Sequence, residues 1–196
     1  PSGYTGKLPY GDEPGSNGLL VNLKGELVTC EHGDRRIAAM PIQLGGKRTL
    51  ADNYQGLRFN SPNDITQHPN GDYYFTDPPY GMPQKEKSPL RETTWFGVYH
   101  IDKAGKVSLV DKTLDRPNGI AVSPDGKQLV ATNKRGKSVS VYDLATAKEI
   151  ARIPTLKGVV HGVVVSPDNR YAFVTEEGRG SEAGILEVFD LKSFRS

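Results

Sequence analysis

The stretch Asn118-Gly-Ile-Ala-Val-Ser-Pro-Asp-Gly-Lys-Gln-Leu-Val-Ala-Thr-Asn133 carries the strongest structural signal in this sequence. Two short segments rich in apolar and β-branched residues flank the turn sequence Pro-Asp-Gly. Because glycine readily adopts the positive φ that tight hairpin turns require, this pattern predicts two antiparallel strands joined by a short loop.

The same pattern recurs in three further segments, which begin at Asn17, Asn63 and His161 and turn at Lys-Gly, Pro-Asn-Gly and Pro-Asp-Asn. The four starting positions are 46, 55 and 43 residues apart, and repeats of a few tens of residues are typical of propellers and solenoids. Weaker strand pairs follow two of the hairpins, at 98–101 with 107–110 and at 138–142 with 149–153. Four strands per repeat correspond to a propeller blade.

We therefore predict an all-β protein, a β-propeller with about four blades of antiparallel strands, in a single domain over residues 1–196. Helical and leucine-rich repeats are excluded because no window shows a sustained apolar period of 3.6 residues. The last blade has no evident fourth strand after 185–190. Either the N-terminal segment closes a four-bladed ring, or the edges stay open and pair with further sequence or with a second copy of the chain.

Composition narrows the class of partner. The chain contains 22 Gly and 14 Pro without a collagen-like period, which favours many tight turns. Its net charge of +2 and the absence of long basic clusters argue against nucleic acid. No apolar stretch approaches the roughly 18 to 20 residues of a membrane span, and no signal peptide is recognisable. We expect a soluble protein, and the sequence leaves its compartment unknown.

Propeller geometry predicts where the polar residues meet. The innermost strand of each blade lines the central channel, so its first residue lies at one mouth of that channel. The residues that open the four inner strands should therefore converge: Asn17, Asn63, Asn118 and His161. The rim should be formed by residues at the ends of the second strands: Glu31, His32, Asp77, Tyr80, Asn133, Lys134, Glu176 and Glu177.

Such a ring has two interpretations. Its amide oxygens suit a hard cation such as Ca²⁺, although a carboxylate normally contributes to useful affinity, and Asp64, Asp77 and Glu31 are the nearest acids. Alternatively, Asn-Gly and Asn-Asp pairs are ordinary turn residues, and the ring is a hydrogen-bonded plug. His161 is either a structural histidine or a ligand or proton carrier. The single Cys30 excludes an intrachain disulfide and a multi-cysteine metal site.

Motifs for other chemistries are missing. The sequence contains no phosphate-binding loop of the Gly-x-x-x-x-Gly-Lys type, no His-Glu-x-x-His zinc helix and no Gly-x-Ser-x-Gly nucleophile elbow. The ring itself provides a physical basis for metal-assisted hydrolysis. A bound cation would polarise an ester carbonyl and lower the pKa of an attacking water.

Several motifs together resemble the senescence-marker-protein/gluconolactonase family over roughly residues 1–135. They are Asn60-Ser-Pro-Asn63-Asp64, Tyr74-Phe-Thr-Asp77-Pro-Pro-Tyr80-Gly81, Cys30-Glu-His-Gly-Asp-Arg-Arg36 and Arg116-Pro-Asn118-Gly119. The resemblance implies a six-bladed propeller that hydrolyses sugar lactones, or in some branches organophosphates, with a divalent cation in the channel. Ca²⁺ is the expected ion, with Zn²⁺ or Mn²⁺ as alternatives, and Asn63 and Asn118 occupy the two asparagine ligand positions.

The sequence differs from that family at two of the metal-ligand positions that the resemblance implies. The family's glutamate from the blade before Asn17 has no counterpart in this chain, and His161 stands where members carry an aspartate. From about Lys137 onward the repeats are similar to a surface-layer propeller repeat known by the letters YVTN, in which His-Gly ordinarily opens a strand and no catalysis is implied.

Two functional hypotheses follow. In the first, the chain is a metal-dependent hydrolase of the gluconolactonase type that acts on a sugar lactone or related ester. The assigned roles are metal ligands for Asn63 and Asn118, catalysis for His161 and Asp64, and substrate binding for Glu31, His32, Asp77 and Tyr80. In the second, the chain is a non-catalytic propeller scaffold or binding protein, and whether it is an enzyme stays open.

Overall fold

The computed structural model describes residues 4, 6, 13–178 and 180–196. Within them the regular structure is β-strand apart from one short 3₁₀ turn at Lys85–Lys87. The strands form four antiparallel sheets, which we call blades I to IV, and one small hairpin. The prediction of an all-β propeller with four blades is confirmed.

The blades follow one another along the chain, and each is a simple meander. Blade I contains β1 (Ser16–Val21), β2 (Glu26–Glu31), β3 (Arg36–Pro41) and β4 (Arg48–Ala51), and is followed by the small hairpin of β5 (Asn53–Tyr54) and β6 (Leu57–Arg58). Blade II contains β7 (Ile65–Gln67), β8 (Tyr73–Asp77), β9 (Gly97–Ile101) and β10 (Val107–Asp111). Blade III contains β11 (Pro117–Val122), β12 (Gln128–Asn133), β13 (Ser138–Asp143) and β14 (Lys148–Pro154). Blade IV has three strands, β15 (Val160–Val165), β16 (Tyr171–Glu176) and β17 (Ile185–Asp190).

The inner hairpins turn where the sequence predicts. Gly25, Gly71, Gly126 and Asn169 occupy the turns of blades I to IV, and all four have positive φ, between 62° and 104°. The repeated Ser-Pro-Asp sequence also has a structural role. In blade III the Ser123 hydroxyl accepts a hydrogen bond from the backbone N–H at position 128 (2.9 Å), and Ser166 does the same in blade IV.

In blades II and III, a threonine in the second strand links the inner part of its own blade to the next blade. In blade III, Thr132 Oγ1 accepts a hydrogen bond from Gly119 N and donates one to the carbonyl oxygen of His161 in blade IV, each 2.7 Å long. In blade II, Thr76 Oγ1 accepts a hydrogen bond from Asp64 N and donates one to the carbonyl oxygen of Asn118 in blade III. Asn118 and His161 are therefore held at fixed positions relative to the blade before each of them.

Glycine after the strand-opening residue permits this close approach. A Cβ atom on Gly119 would lie 2.3 Å from the carbonyl oxygen of His161, and one on Gly18 would lie 2.7 Å from that of Asn63. Both distances are far below van der Waals contact. In blade II the equivalent residue is Asp64, whose Oδ2 accepts a hydrogen bond from Ile120 N in blade III (3.0 Å).

The hydrophobic core lies between the blades. Phe59, Phe75 and Tyr99 pack their rings 5.0 to 5.3 Å apart between blades I and II. A second cluster around Leu129 and Tyr142 joins blade II to blade III, and a third joins blade III to blade IV. Each blade thus shares a buried face with the next.

The two ends of this array are uncovered. Packing follows chain order from β1 to β7, from β7 and β8 to β11, and from β11 to β15, and no comparable packing of described strands joins β15 to β1. Leu19 of β1 is 61% exposed, and Leu186 of β17 is 60% exposed. The described residues therefore form an open arc rather than a closed four-bladed ring, and most of the N-terminal segment proposed to close it lies outside the described residues. None of the described helical residues belongs to a helix that is long and apolar enough to cross a membrane.

We expect Gly119→Ala to lower the free energy of unfolding by about 1–3 kcal/mol, because the new methyl group must push blade IV away from blade III. Gly162→Ala is the matched control, since it occupies the same position in the last blade and its Cβ would meet no described atom closer than 3.5 Å. Urea denaturation of both variants measures the difference. Equal destabilisation of the two would show that the approach of the next blade is not what requires glycine.

Candidate active site

The four strand-opening residues meet at one end of the arc. Asn17, Asn63, Asn118 and His161 line a single cavity of about 390 Å³, which we call the mouth. The other residues that line it are Glu13, Tyr80, Lys85 and Lys134. Positions up to 144 residues apart in the chain thus share one polar pocket, as the repeat pattern predicts.

Asn63 and Asn118 have fixed backbones and uncommitted side chains. Asn63 N donates a hydrogen bond to Thr76 O (2.8 Å), Asn63 O accepts one from Gly18 N (2.6 Å), and Asn118 O accepts one from Thr76. Asn63 is only 4% exposed. Neither side-chain amide is hydrogen-bonded to another residue within the described part of the chain. Two amide groups that face the mouth are therefore available to a cation or to a polar ligand.

His161 forms a hydrogen-bonded cluster at the mouth. Its Nε2 lies 2.7 Å from Lys134 Nζ and 3.1 Å from Glu177 Oε2. An unprotonated Nε2 can accept a hydrogen bond from the Lys134 ammonium group, whereas a protonated Nε2 can donate one to Glu177. The two states exclude each other at this atom. The cluster is therefore suited to moving a proton at the edge of the mouth.

Lys134 brings a positive charge into the mouth. Its ammonium group lies 5.0 Å from the centre of the Tyr80 ring, a cation–π distance. Burial lowers the pKa of Lys134, and the nearby Lys85 acts in the same direction, whereas Glu177 and Glu13 oppose the shift. The sequence analysis places Lys134 on the rim, and the structure shows that it contacts His161 directly.

Glu13 supplies a carboxylate that the sequence does not reveal. It lies before β1, outside every repeat, and it lines the mouth together with the two asparagines. Its Oε2 lies 3.7 Å from His32 Nδ1, and its backbone oxygen is 3.2 Å from the same ring nitrogen. No motif marks this residue, and only folding brings the segment before β1 beside the mouth.

Asp64, which the sequence analysis assigns to catalysis, does not line the mouth. Its Oδ1 accepts a hydrogen bond from Ile65 N (2.9 Å) and its Oδ2 accepts one from Ile120 N (3.0 Å). Burial raises the pKa of Asp64, and the two backbone donors oppose the shift. The carboxylate ties β7, which follows Asn63, to β11, which contains Asn118.

Three of the four predicted substrate-binding residues are buried and do not line the mouth: Glu31, His32 and Asp77. Glu31 is ion-paired with Arg36 at 2.7 Å and with Lys47. Burial lowers the pKa of His32, although the neighbouring Glu13 opposes the shift. Tyr80, the fourth residue, does line the mouth, and burial raises its pKa to about 12.

Asp77 instead supports the loop that precedes Asn63. Its Oδ2 accepts hydrogen bonds from the backbone N–H (2.8 Å) and the side-chain amide (3.1 Å) of Asn60. Its Oδ1 has no hydrogen-bond partner within the described residues. Complete burial raises the pKa of Asp77 to about 7, and the donors from Asn60 and the charge of Arg35 only partly offset this.

The sequence matches the model of a known protein family. The sequence model of the SMP-30/gluconolactonase/LRE-like region matches residues 5–180. The chain belongs to this family. The match continues well beyond residue 135 and includes the repeats that follow Lys137. The resemblance of these later repeats to the YVTN type stays a prediction.

Individual members of the family share substantial parts of the sequence. The chain is 38% identical to a gluconolactonase of Zymomonas mobilis subsp. mobilis over 144 residues, which are 72% of this chain and 40% of the relative. It is 30% identical to lactonohydrolase oryL of Aspergillus oryzae over 128 residues, which are 64% of this chain and 29% of the relative. The chain thus spans less than half the length of these two family relatives.

Solved structures support the same relationship. A gluconolactonase from Xanthomonas campestris superimposes with a TM-score of 0.74 and 27% identity, covering 89% of this chain and 58% of the other. A second structure, described as a putative gluconolactonase, gives a TM-score of 0.75 and 26% identity, covering 88% and 59%. The open arc of this family member therefore corresponds to about three-fifths of each of those chains.

The raised pKa of Asp77 predicts a pH dependence of stability. The folded protein holds this proton up to about pH 7, whereas an unfolded aspartate loses it near pH 4. The contribution of Asp77 to stability is therefore complete below about pH 4 and is lost as the pH rises to about 7. We expect the free energy of unfolding of the native protein, relative to Asp77→Asn, to fall across this interval in urea titrations.

The exposed Asp52→Asn variant is the control for this measurement and should track the native protein at every pH. A native-minus-Asp77→Asn difference that stays constant from pH 4 to pH 7 would contradict the assignment.

Proposed function

We propose that this chain forms the catalytic mouth of a lactonase-type hydrolase that acts on a small-molecule lactone with the aid of a Ca²⁺-class divalent cation. One observation carries the proposal. Asn63 and Asn118, whose side-chain amides make no hydrogen bond within the described part of the chain, line one cavity with His161. The gluconolactonase and lactonohydrolase relatives support this class of reaction.

The donor set fits a hard cation in part. The amide oxygens of Asn63 and Asn118 are free to bind it, and the carboxylate of Glu13 is the one described acid that lines the mouth. The described residues contain no cluster of three or more His, Cys, Asp or Glu side chains that could hold a metal. Lys134 and Lys85 line the same cavity and weaken cation binding by repulsion. We therefore propose an ion held mainly by neutral oxygens and bound with modest affinity.

When bound, such an ion would polarise the lactone carbonyl and lower the pKa of an attacking water. The protein must then accept the proton of that water. We propose His161 Nε2 as the acceptor, because Glu177 Oε2 lies 3.1 Å away and would stabilise the imidazolium that results. Lys134, whose Nζ lies 2.7 Å from Nε2, must release this nitrogen for the transfer to happen.

Asp64 acts indirectly in this proposal. By accepting hydrogen bonds from both Ile65 N and Ile120 N, it fixes the spacing between β7, which follows Asn63, and β11, which contains Asn118. Tyr80 forms one wall of the mouth, with Lys134 above its ring. Catalysis thus depends on backbone placement by buried groups and on only a few side chains that reach the cavity.

We expect Asn63→Ala and Asn118→Ala each to weaken Ca²⁺ binding by about 10- to 100-fold, a loss comparable with that seen for supporting groups at other metal sites. Calorimetric titration with Ca²⁺, Mn²⁺ and Zn²⁺ measures this. Asn70→Ala is the control, because Asn70 lies in a turn at the opposite end of blade II. If none of the three ions binds the unaltered chain, the proposed metal dependence is wrong.

We expect His161→Asn to lower kcat for D-glucono-δ-lactone hydrolysis by about 10²- to 10⁴-fold, the usual contribution of a general base, while Ca²⁺ affinity is retained. His100→Asn is the control, because His100 bonds to Ser108 and Asp72 in blade II rather than to the mouth. An unchanged kcat in His161→Asn would exclude His161 as the proton acceptor. A folded chain without any turnover would favour the alternative of a non-catalytic binding protein.

A further inference from the structure

A second cavity adjoins the mouth and is strongly cationic. Its volume is about 610 Å³, and it shares Tyr80, Lys85 and Lys134 with the mouth. Five of the residues that line it carry positive charge, and one, Glu86, carries negative charge. The five are Lys85, Arg116, Lys134, Arg135 and Lys137. We call this cavity the basic cleft.

The chain builds the basic cleft from two backbone segments that are hydrogen-bonded to each other. Lys134 N donates to Arg116 O (3.2 Å), and Arg135 N donates to Asp115 O (3.0 Å). These bonds join the segment before β11 to the turn between β12 and β13. Arg116 and Lys137 both adopt positive φ, 63° and 52°, which is uncommon for residues with side chains. The basic side chains therefore converge through a defined backbone arrangement.

Much of this positive charge is not neutralised. Glu86 pairs with Arg116 at 3.2 Å, and the second acid near Arg116 is Asp115 at 3.7 Å. Lys134 lies 4.0 Å from Glu177. Lys85, Arg135 and Lys137 form no ion pair with any residue within the described ranges. The buried Nε of Arg116 also has no hydrogen-bond acceptor there. A bound anion would supply the missing acceptors and the missing negative charge.

We infer that the basic cleft binds a phosphate group carried by the lactone substrate, so that the lactone ring extends into the mouth beside Asn118 and His161. A phosphate has about two negative charges and three acceptor oxygens, which match several cations better than one carboxylate does. The shared wall of Tyr80, Lys85 and Lys134 makes one ligand long enough to occupy both cavities. This inference rests on the proposed function for turnover, whereas the binding of the anion can be tested without it.

The test is calorimetric binding of 6-phosphogluconate, gluconate and glucarate to the unaltered chain and to the double variant Arg135→Ala/Lys137→Ala. We expect 6-phosphogluconate to bind at least about tenfold more tightly than gluconate and glucarate, with the preference reduced by added salt. The double variant should lose the preference. The matched control is Lys103→Ala/Lys106→Ala, which removes two exposed lysines from the turn between β9 and β10. This variant should keep the preference for 6-phosphogluconate.

Equal binding of 6-phosphogluconate and gluconate would overturn the inference. Binding of glucarate as tight as that of 6-phosphogluconate would also overturn it, because the cleft would then recognise a second carboxylate as well as a phosphate. Turnover separates the two proposals. Preferred binding of the phosphorylated acid without hydrolysis of any lactone would contradict the proposed function and leave the basic cleft as an anion site. Hydrolysis of 6-phosphoglucono-δ-lactone and D-glucono-δ-lactone with equal kcat/KM, without a binding preference, would contradict only the basic cleft.

Discussion

Two threonine hydroxyls fix the relative positions of the backbone segments that line the mouth. Thr76 and Thr132 each accept a hydrogen bond from a backbone N–H of their own blade, at Asp64 and Gly119, and donate one to a backbone carbonyl of the next blade, at Asn118 and His161. These bonds set the position of Asn118 relative to blade II and the position of His161 relative to blade III. Because hydrogen bonds need close approach, the residue after Asn118 is glycine, which leaves room for the carbonyl oxygen of His161.

The repeat pattern allowed most of the fold to be predicted. Hairpin turns depend on local backbone geometry, and the positive φ values at Gly71, Gly126 and Asn169 follow directly from the residues at those positions. The convergence of Asn63, Asn118 and His161 was predictable for a related reason, since a repeated unit places equivalent residues at equivalent positions. Whether the ring closes was not predictable, because closure depends on packing between the first and last blades.

The rest of the site depends on contacts between distant segments. The rim position of Glu31 and Asp77 in sequence suggested access to a ligand, yet Glu31 is held by Arg36 and Asp77 by Asn60, and both side chains turn inward. Glu13 could not be found from sequence because it precedes the first repeat. The contact of Lys134 with His161 joins two blades, and no pattern within one repeat encodes it.

In the proposed function, Asn63 and Asn118 present free amide oxygens to a cation at a mouth to which all four blades contribute. Anomalous diffraction from crystals soaked in Mn²⁺ tests it most directly, because Mn²⁺ accepts oxygen ligands and its position is read without reference to activity. We expect an anomalous peak from Mn²⁺ within bonding distance of the side-chain oxygens of both Asn63 and Asn118. A peak elsewhere, or well-ordered asparagine amides bonded to each other with no peak between them, would contradict it.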